Sequence, residues 1–110
     1  MKDKYTIHED AGHGWMAVPV GEIMELGIYG EISKCSYRSA DGRTAYLEED
    51  CDLGAFMRAR FPSESAERWN AHIVEVYDGD DSPIRRLRHW GAEPTPAELQ
   101  RIAESFRPIH

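Results

Sequence analysis

Residues 34–48 have the sequence KCSYRSADGRTAYLE, and this stretch decides the fold because it carries the strongest turn signal in the chain. Two alternating segments flank Asp41-Gly42, a pair that favours a type I′ turn, in which both central residues need a positive φ. Centring the turn on this pair places Tyr37 opposite Tyr46, so that their rings stack on one face of the sheet. The stretch therefore predicts an antiparallel hairpin.

Two further hairpins are predicted on either side of this one. Residues 5–9 and 15–18 have extended patterns and enclose a glycine-rich loop. Residues 71–77 are rich in β-branched side chains, and residues 84–90 return after a turn at 78–83. Six strands in three hairpins imply a mainly antiparallel sheet with helices packed on one face.

Three helices are predicted between and after the hairpins. Pro19 presets a helical φ, and this first, short helix ends at Gly27 in a left-handed conformation. Asp50 or Asp52 caps the second helix. The third follows a capping box at residues 95–98, which places proline at the first helical position. The predicted order is ββαββαββα, and the predicted class is α+β.

The composition fits one acidic domain that spans residues 1–110, with 41% hydrophobic residues to build a core. The formal charge is −7: residues 1–55 carry 11 acidic and 5 basic side chains, and residues 56–110 carry 9 and 8. A surface of this charge repels phosphate, so nucleic-acid binding is not expected. Solubility alone also accounts for a charge of this size.

The chain contains no signal that would direct it to a membrane. No apolar stretch approaches the ~20 residues that a transmembrane helix needs. The N-terminus also lacks the apolar core of a signal peptide. We therefore expect a cytoplasmic protein that does not bind membranes.

The two cysteines, Cys35 and Cys51, are expected to be ordinary reduced thiols. The predicted register places Cys35 opposite Glu48, so that Cys51 lies about three residues further along the chain. A disulfide needs Cα atoms within ~7 Å of each other, and this register makes that separation unfavourable.

An acidic run follows the second hairpin and is the main candidate for a functional site. It comprises Glu48, Glu49, Asp50 and Asp52. Carboxylates here satisfy the free amides of a helix start and complement its dipole, which is the structural interpretation. The functional interpretation is a docking surface for a partner protein, to which His13 and Trp15 contribute if the tip of the first hairpin is exposed. No metal site and no cofactor are predicted, because neither region has further ligands at a characteristic spacing.

A basic run near residue 87 is the second candidate. It comprises Arg85, Arg86, Arg88 and His89. Charge pairing with Glu75 and the acidic turn at 78–81 is one interpretation. Phosphate binding is the other, because arginine forks suit phosphate, and a histidine with Glu75 would then supply acid–base chemistry for cleaving RNA.

Three segments together resemble a family of small bacterial proteins of uncharacterised activity. They are GHGWMAVP at residues 12–19, YLEEDCD at 46–52, and VYDGDDSPIRRL at 76–87. Members of that family are often met on phage, plasmid and conjugative-element DNA. The resemblance implies a mobile-element context for this chain and supplies no mechanism.

The functional prediction is a binding protein. No nucleophile elbow and no phosphate-binding glycine loop occur, so no catalytic residue is assigned. We expect a small acidic accessory protein of a mobile element or phage that binds another protein, as an inhibitor or a nucleic-acid mimic. The alternative is a small hydrolase or nuclease that uses His13 or His89 with Glu75 and an arginine. Assembly into a homo-oligomer is left open.

Overall fold

The computed structural model describes residues 1, 3–91 and 96–105, which form an α+β fold. The strands are β1 (Tyr5–Glu9), β2 (Gly14–Pro19), β3 (Tyr37–Arg38), β4 (Thr44–Glu48), β5 (Ile73–Tyr77) and β6 (Arg88–His89). The α-helices are α1 (Val20–Glu25), α2 (Leu53–Arg60) and α3 (Pro96–Ser105). Short 3-10 turns occupy Tyr29–Glu31, Ala66–His72 and Pro83–Arg86.

The six strands of the described chain form one sheet in the order β5-β1-β2-β4-β3-β6. Four of its five pairings are antiparallel, and the β1–β5 pairing is parallel. The predicted class, the six strands and the mainly antiparallel pairing are therefore confirmed, and three α-helices accompany them.

The third predicted hairpin is wrong, because β5 and β6 lie at opposite edges of the sheet. Residues Pro83–Arg86 form a 3-10 turn instead of a strand, and the Ser82 side chain accepts a hydrogen bond from the Ile84 amide at 3.3 Å. Only Arg88–His89 remain extended, and they pair with β3. The β-branched run of β5 pairs in parallel with β1 instead of turning back on itself.

The central hairpin has the predicted register, with Tyr37 paired to Tyr46. Its turn differs from the prediction, because Gly42 alone in this turn has a positive φ, at 75°. The Gly42 amide donates to the Ser39 carbonyl at 3.0 Å, so Asp41 occupies the second central position of an ordinary turn. The turn conformation is therefore not the predicted type I′, although the pairing on either side of it is the predicted one.

The three helices begin close to the predicted positions. Helix α1 follows Pro19 and ends before Gly27, whose φ of 73° gives the predicted left-handed cap. Helix α2 has Asp52 at its N-cap position, but the Asp52 side chain makes no hydrogen bond to the helix amides. Helix α3 starts at Pro96 as predicted, while Thr95 of its capping box lies outside the described residues.

Helices α1 and α2 pack on one face of the sheet and leave the other face more open. The buried strand residues on the packed face include Tyr5, Ile7, Met16, Val18, Ala45 and Leu47. The alternate residues point to the opposite face, where His8 contacts Tyr46 and Trp15 contacts Tyr37, both edge to face. No helix of the described residues is long and apolar enough to cross a membrane.

Candidate functional site

The loop between β1 and β2 is organised around the buried carboxylate of Asp10. Its Oδ1 accepts hydrogen bonds from the amides of Gly12 and His13, both at 3.0 Å. Its Oδ2 accepts from the Ser82 amide at 2.9 Å, and Arg85 donates to both oxygens at 2.6 and 2.9 Å. The arginine, followed by the Ser82 amide, holds the pKa of Asp10 well below its usual range. The carboxylate thus joins the loop that carries His13 to the distant 3-10 turn.

Arg85 lies over Trp15 as a consequence of this pairing. The guanidinium carbon is 5.0 Å from the centre of the indole ring, a cation–π distance. Trp15 is 2% exposed, so its ring forms a wall of the site and not a projecting contact. The pairing with Asp10 also means that the charge of Arg85 is already neutralised.

Glu48 connects the end of β4 to His13. One carboxylate oxygen lies 3.3 Å from His13 Nδ1. The other accepts hydrogen bonds from the amides of Asp50 and Cys51, at 2.8 and 2.9 Å. Glu48 is 6% exposed, and its bonds to these two amides fix the turn that precedes α2. The prediction that Asp50 or Asp52 caps α2 is not borne out at Asp52, because no side-chain cap bond reaches this helix, and the bonds of Glu48 stay within the preceding turn.

Asp52 is 2% exposed, and its side chain bonds to Ser33 and Ser36 instead of to the amides of α2, which it was predicted to cap. It accepts hydrogen bonds from the Ser33 amide at 3.0 Å, from the Ser33 hydroxyl at 2.8 Å, and from the Ser36 hydroxyl. Asp52 therefore holds the segment before β3 against the start of α2. It does not contribute to an exposed acidic surface.

These contacts enclose a pocket of about 280 Å³ on the open face of the sheet. Its lining residues are His13, Trp15, Cys35, Tyr37, Glu48, Asp50, Cys51 and Arg85. The structure thus brings together four of the six residues predicted for a binding site. Glu49 does not line the pocket: its Oε2 would be 2.8 Å from a Cβ placed on Gly14, on the side of the sheet where the Ile7 side chain lies.

The two cysteines are neighbours in this pocket, which corrects the expectation that the register separates them. Cys35 precedes the short strand β3. It lies in a turn that the hydrogen bond from the Ser33 amide to Asp52 holds close to Cys51. Both cysteines are exposed. Interaction with the Cys35 thiol, and next with the Glu48 carboxylate, raises the pKa of Cys51 to about 12. Sequence reasoning missed this pair, because the contact depends on the Asp52–serine bonds.

Two arginines of the basic run, the alternative phosphate site, are already paired with carboxylates. Arg85 is held by Asp10, while Arg86 pairs with Asp81 at 3.1 Å. His89 stacks against Tyr37 and is bonded through Nδ1 to the Lys34 carbonyl at 2.7 Å, and Arg88 is exposed beside it on β6.

The proposed His89–Glu75 acid–base pair is wrong. The two residues lie on strands at opposite edges of the sheet, five strand spacings of about 4.8 Å apart. Proton transfer between a base and an acid that act together needs hydrogen-bond distance to a shared substrate. The predicted charge pairing with the acidic turn is present for Arg85 and Arg86, which both pair with Asp81.

No protein-family model, no curated protein and no solved structure matches this chain. The fold and the site define an α+β domain that carries an open pocket of mixed histidine, cysteine, carboxylate and aromatic character. The function is therefore argued from the chemistry of that pocket and its surroundings.

Proposed function

We propose that this protein is a binding protein that docks a basic segment of a partner protein at one end of its sheet. The docking surface is the acidic rim, which we define as Glu9, Glu49 and Asp50. These residues lie at the ends of β1 and β4, next to the loop that carries His13. The sequence resemblance favours a mobile-element or phage accessory protein that works in the cytoplasm.

The observation that carries this proposal is a cluster of carboxylates with which no lysine or arginine of the described residues forms an ion pair. Burial, and next the negative charges of Asp50, Glu48 and Glu9, raise the pKa of Glu49. No ion pair between described side chains joins a lysine or arginine to any residue of the acidic rim. A lysine or arginine from a partner would relieve this repulsion and steer the encounter.

The pocket beside the acidic rim suits a long basic side chain. Tyr37 supplies aromatic surface for the aliphatic stem, and Asp50 supplies a carboxylate for the charged head. The pairing of Arg85 with Asp10 limits its repulsion of an incoming cation. This arrangement favours a basic protein segment over a nucleic acid, because the acidic rim repels phosphate.

Titrating the isotope-labelled protein with an oligolysine peptide tests the proposal. We expect the largest NMR shift changes at residues 9–14 and 48–52, with an affinity that falls as salt is added. Replacing the half-buried Glu9 and the exposed Glu49 with glutamine should weaken binding several-fold, on the order of 1 kcal/mol, because two charge contacts are lost.

The matched control is the double change Glu25→Gln and Glu67→Gln, which removes the same charge from exposed positions elsewhere. If both double variants weaken peptide binding equally, the effect is net charge, and the acidic rim is not a docking site. Shift changes spread over the whole surface would lead to the same rejection.

A second candidate function is hydrolysis, favoured by the 3.3 Å contact of His13 with Glu48 in a pocket that Arg85 also lines. A histidine oriented by a carboxylate is a suitable general base. The arginine is already held by Asp10, which weakens this candidate. Incubating the protein with labelled RNA, with and without divalent metal, separates the two functions: cleavage abolished by His13→Asn would establish the hydrolase, and its absence would leave the binding protein.

A further inference from the structure

We infer that the free edge of β5 is a self-association surface, at which two copies of this chain pair antiparallel and form a dimer with one continuous sheet. The contact is centred on Val76. Strand β5 (Ile73–Tyr77) is an outer strand of the described sheet, with β1 as its neighbour on one side. The inference does not rest on the proposed docking function, because the surface is formed by β5 and not by the acidic rim.

The first argument is the direction of the β5 backbone groups. The amide of Asp78 donates to the Glu9 carbonyl at 2.6 Å and continues the parallel ladder between β5 and β1. Alternate residues of a strand face the same neighbour, so Glu75 and Tyr77 direct their N–H and C=O groups away from β1. Such a row of groups is a template for pairing with another strand.

The second argument is the exposed apolar surface of the same strand. Val74, Val76 and Tyr77 are 47%, 40% and 65% exposed. The two valines point to the open face of the sheet, because they lie beside Thr6 and His8 of β1. Exposed apolar side chains grouped on one strand mark a surface that is covered in an assembly.

The opposite edge of the sheet is protected, which makes the exposure of β5 informative. Strand β6 (Arg88–His89) is two residues long, and both of its polar side chains are exposed. Short strands and charged side chains are common means of preventing edge-to-edge pairing. Strand β5 has five residues and contains neither proline nor lysine. The chain thus blocks one edge of its sheet and leaves the other able to pair.

The side chains of β5 fit a second copy of the same strand in one register. A two-fold axis at Glu75 would set two carboxylates directly opposite each other, which is destabilising. An axis at Val74 would press the 3-10 turn Ala66–His72 of each copy against the strand of the other. An axis at Val76 avoids both problems, because it sets valine against valine and Glu75 against Tyr77 of the second copy.

The charges at the two ends of β5 also favour the antiparallel arrangement. Lys4 Nζ donates to the Ala71 carbonyl at 2.9 Å, which places the ammonium group beside the start of the strand. Asp80 is exposed just beyond the end of the strand. An antiparallel pair brings the Lys4 end of each copy to the Asp80 end of the other, and the two-fold symmetry forms this contact twice.

Sedimentation velocity of the full chain over a concentration series tests the inference, with a phosphine reductant to keep Cys35 and Cys51 reduced. We expect a reversible dimer. Val76→Lys should raise its dissociation constant roughly tenfold or more, because two ammonium groups would face each other at the two-fold axis. Val74→Lys should weaken the dimer much less, because this register sets the new lysine opposite Asp78 of the second copy.

The matched control is Leu99→Lys, which adds the same charge at an apolar side chain that is 53% exposed on α3. It should leave the dissociation constant unchanged, and circular dichroism should show that each variant is folded. A wild type that stays monomeric at every concentration overturns the inference and leaves the edge to an extended strand of another protein. A dimer that Val76→Lys does not weaken, or that Val74→Lys weakens equally, overturns it as well.

Disulfide capture tests the register directly, with Val76→Cys in a chain that also carries Cys35→Ser and Cys51→Ser. Facing residues of a non-hydrogen-bonded antiparallel pair have Cα atoms about 4.5 Å apart, which is within the range for a disulfide. We expect oxidised glutathione to link two copies through the introduced thiols. Val74→Cys in the same background should not link, because its counterpart lies about 13 Å away along the strands. Faster linkage at Val74→Cys contradicts the register.

The outcome is separable from that of the docking proposal. Glu9→Gln with Glu49→Gln leaves every side chain of β5 in place and should still dimerise, whereas Val76→Lys leaves the acidic rim intact. A dimer that does not bind oligolysine would retain the self-association surface and lose the docking function. A monomer that binds oligolysine would retain docking alone.

Discussion

Replacing Asp10 with asparagine is expected to lower the melting temperature by roughly 10 °C or more at neutral pH. The carboxylate accepts three amide hydrogen bonds and two from Arg85. An amide can accept at only one oxygen, and its NH₂ group would face donors. The variant would leave the partly buried Arg85 with only the exposed Asp81 carboxylate, at 3.5 Å, as a counter-charge, and removing the closer partner is the costly way to break an ion pair. Thermal unfolding followed by circular dichroism measures the loss.

The same variant should change how stability depends on pH. The folded pKa of Asp10 lies below its unfolded value of about 3.9, so its contribution is fully present above pH ~4 and is lost as the pH falls below that value. The difference in melting temperature between the wild type and the Asp10→Asn variant should therefore become smaller as the pH falls below ~4. The control is Asp81→Asn, an exposed partner of Arg85 and Arg86, which should change the melting temperature little. Equal effects of the two substitutions would contradict this account.

The local part of the fold was predictable from the sequence, and the long-range part was not. The hairpin register at Tyr37 and Tyr46 and the cap at Gly27 follow from turn chemistry within a few residues. The partner of β5 depends on which open edge of the sheet accepts a β-branched strand. Nothing near residues 73–77 specifies the edge of β1, which is why the expected local hairpin did not form.

The candidate site was predictable in position but not in composition. The loop motif and the acidic run predicted that His13, Glu48 and Asp50 belong to one site, and the structure places a donor atom of each within 4.8 Å of the other two. Their convergence follows from the β2–β4 pairing, which sets Trp15 opposite Glu48. The cysteine pair and the Asp10–Arg85 link arise from side-chain bonds across 16 and 75 residues, and no periodicity or spacing in the sequence reports such bonds.

Replacing Phe56 with alanine is expected to destabilise the protein by about 3–5 kcal/mol, the range for removing a large buried aromatic side chain. Phe56 is fully buried on α2, and its ring contacts Tyr5 edge to face at 5.2 Å. The cavity would also weaken the position of Tyr5, whose hydroxyl donates to the buried Glu22 at 2.6 Å. Urea unfolding at neutral pH measures the change in the free energy of unfolding.

The control for this prediction is Leu99→Ala, which removes a large apolar side chain that is 53% exposed on α3. It should change the free energy of unfolding by only about 0.5 kcal/mol. Because the Phe56 amide donates to the Asp52 carbonyl, α2 links the core to the segment that holds the two cysteines together. A loss below about 1 kcal/mol for Phe56→Ala would mean that α2 does not anchor the core, and the packing that positions the pocket would need another source.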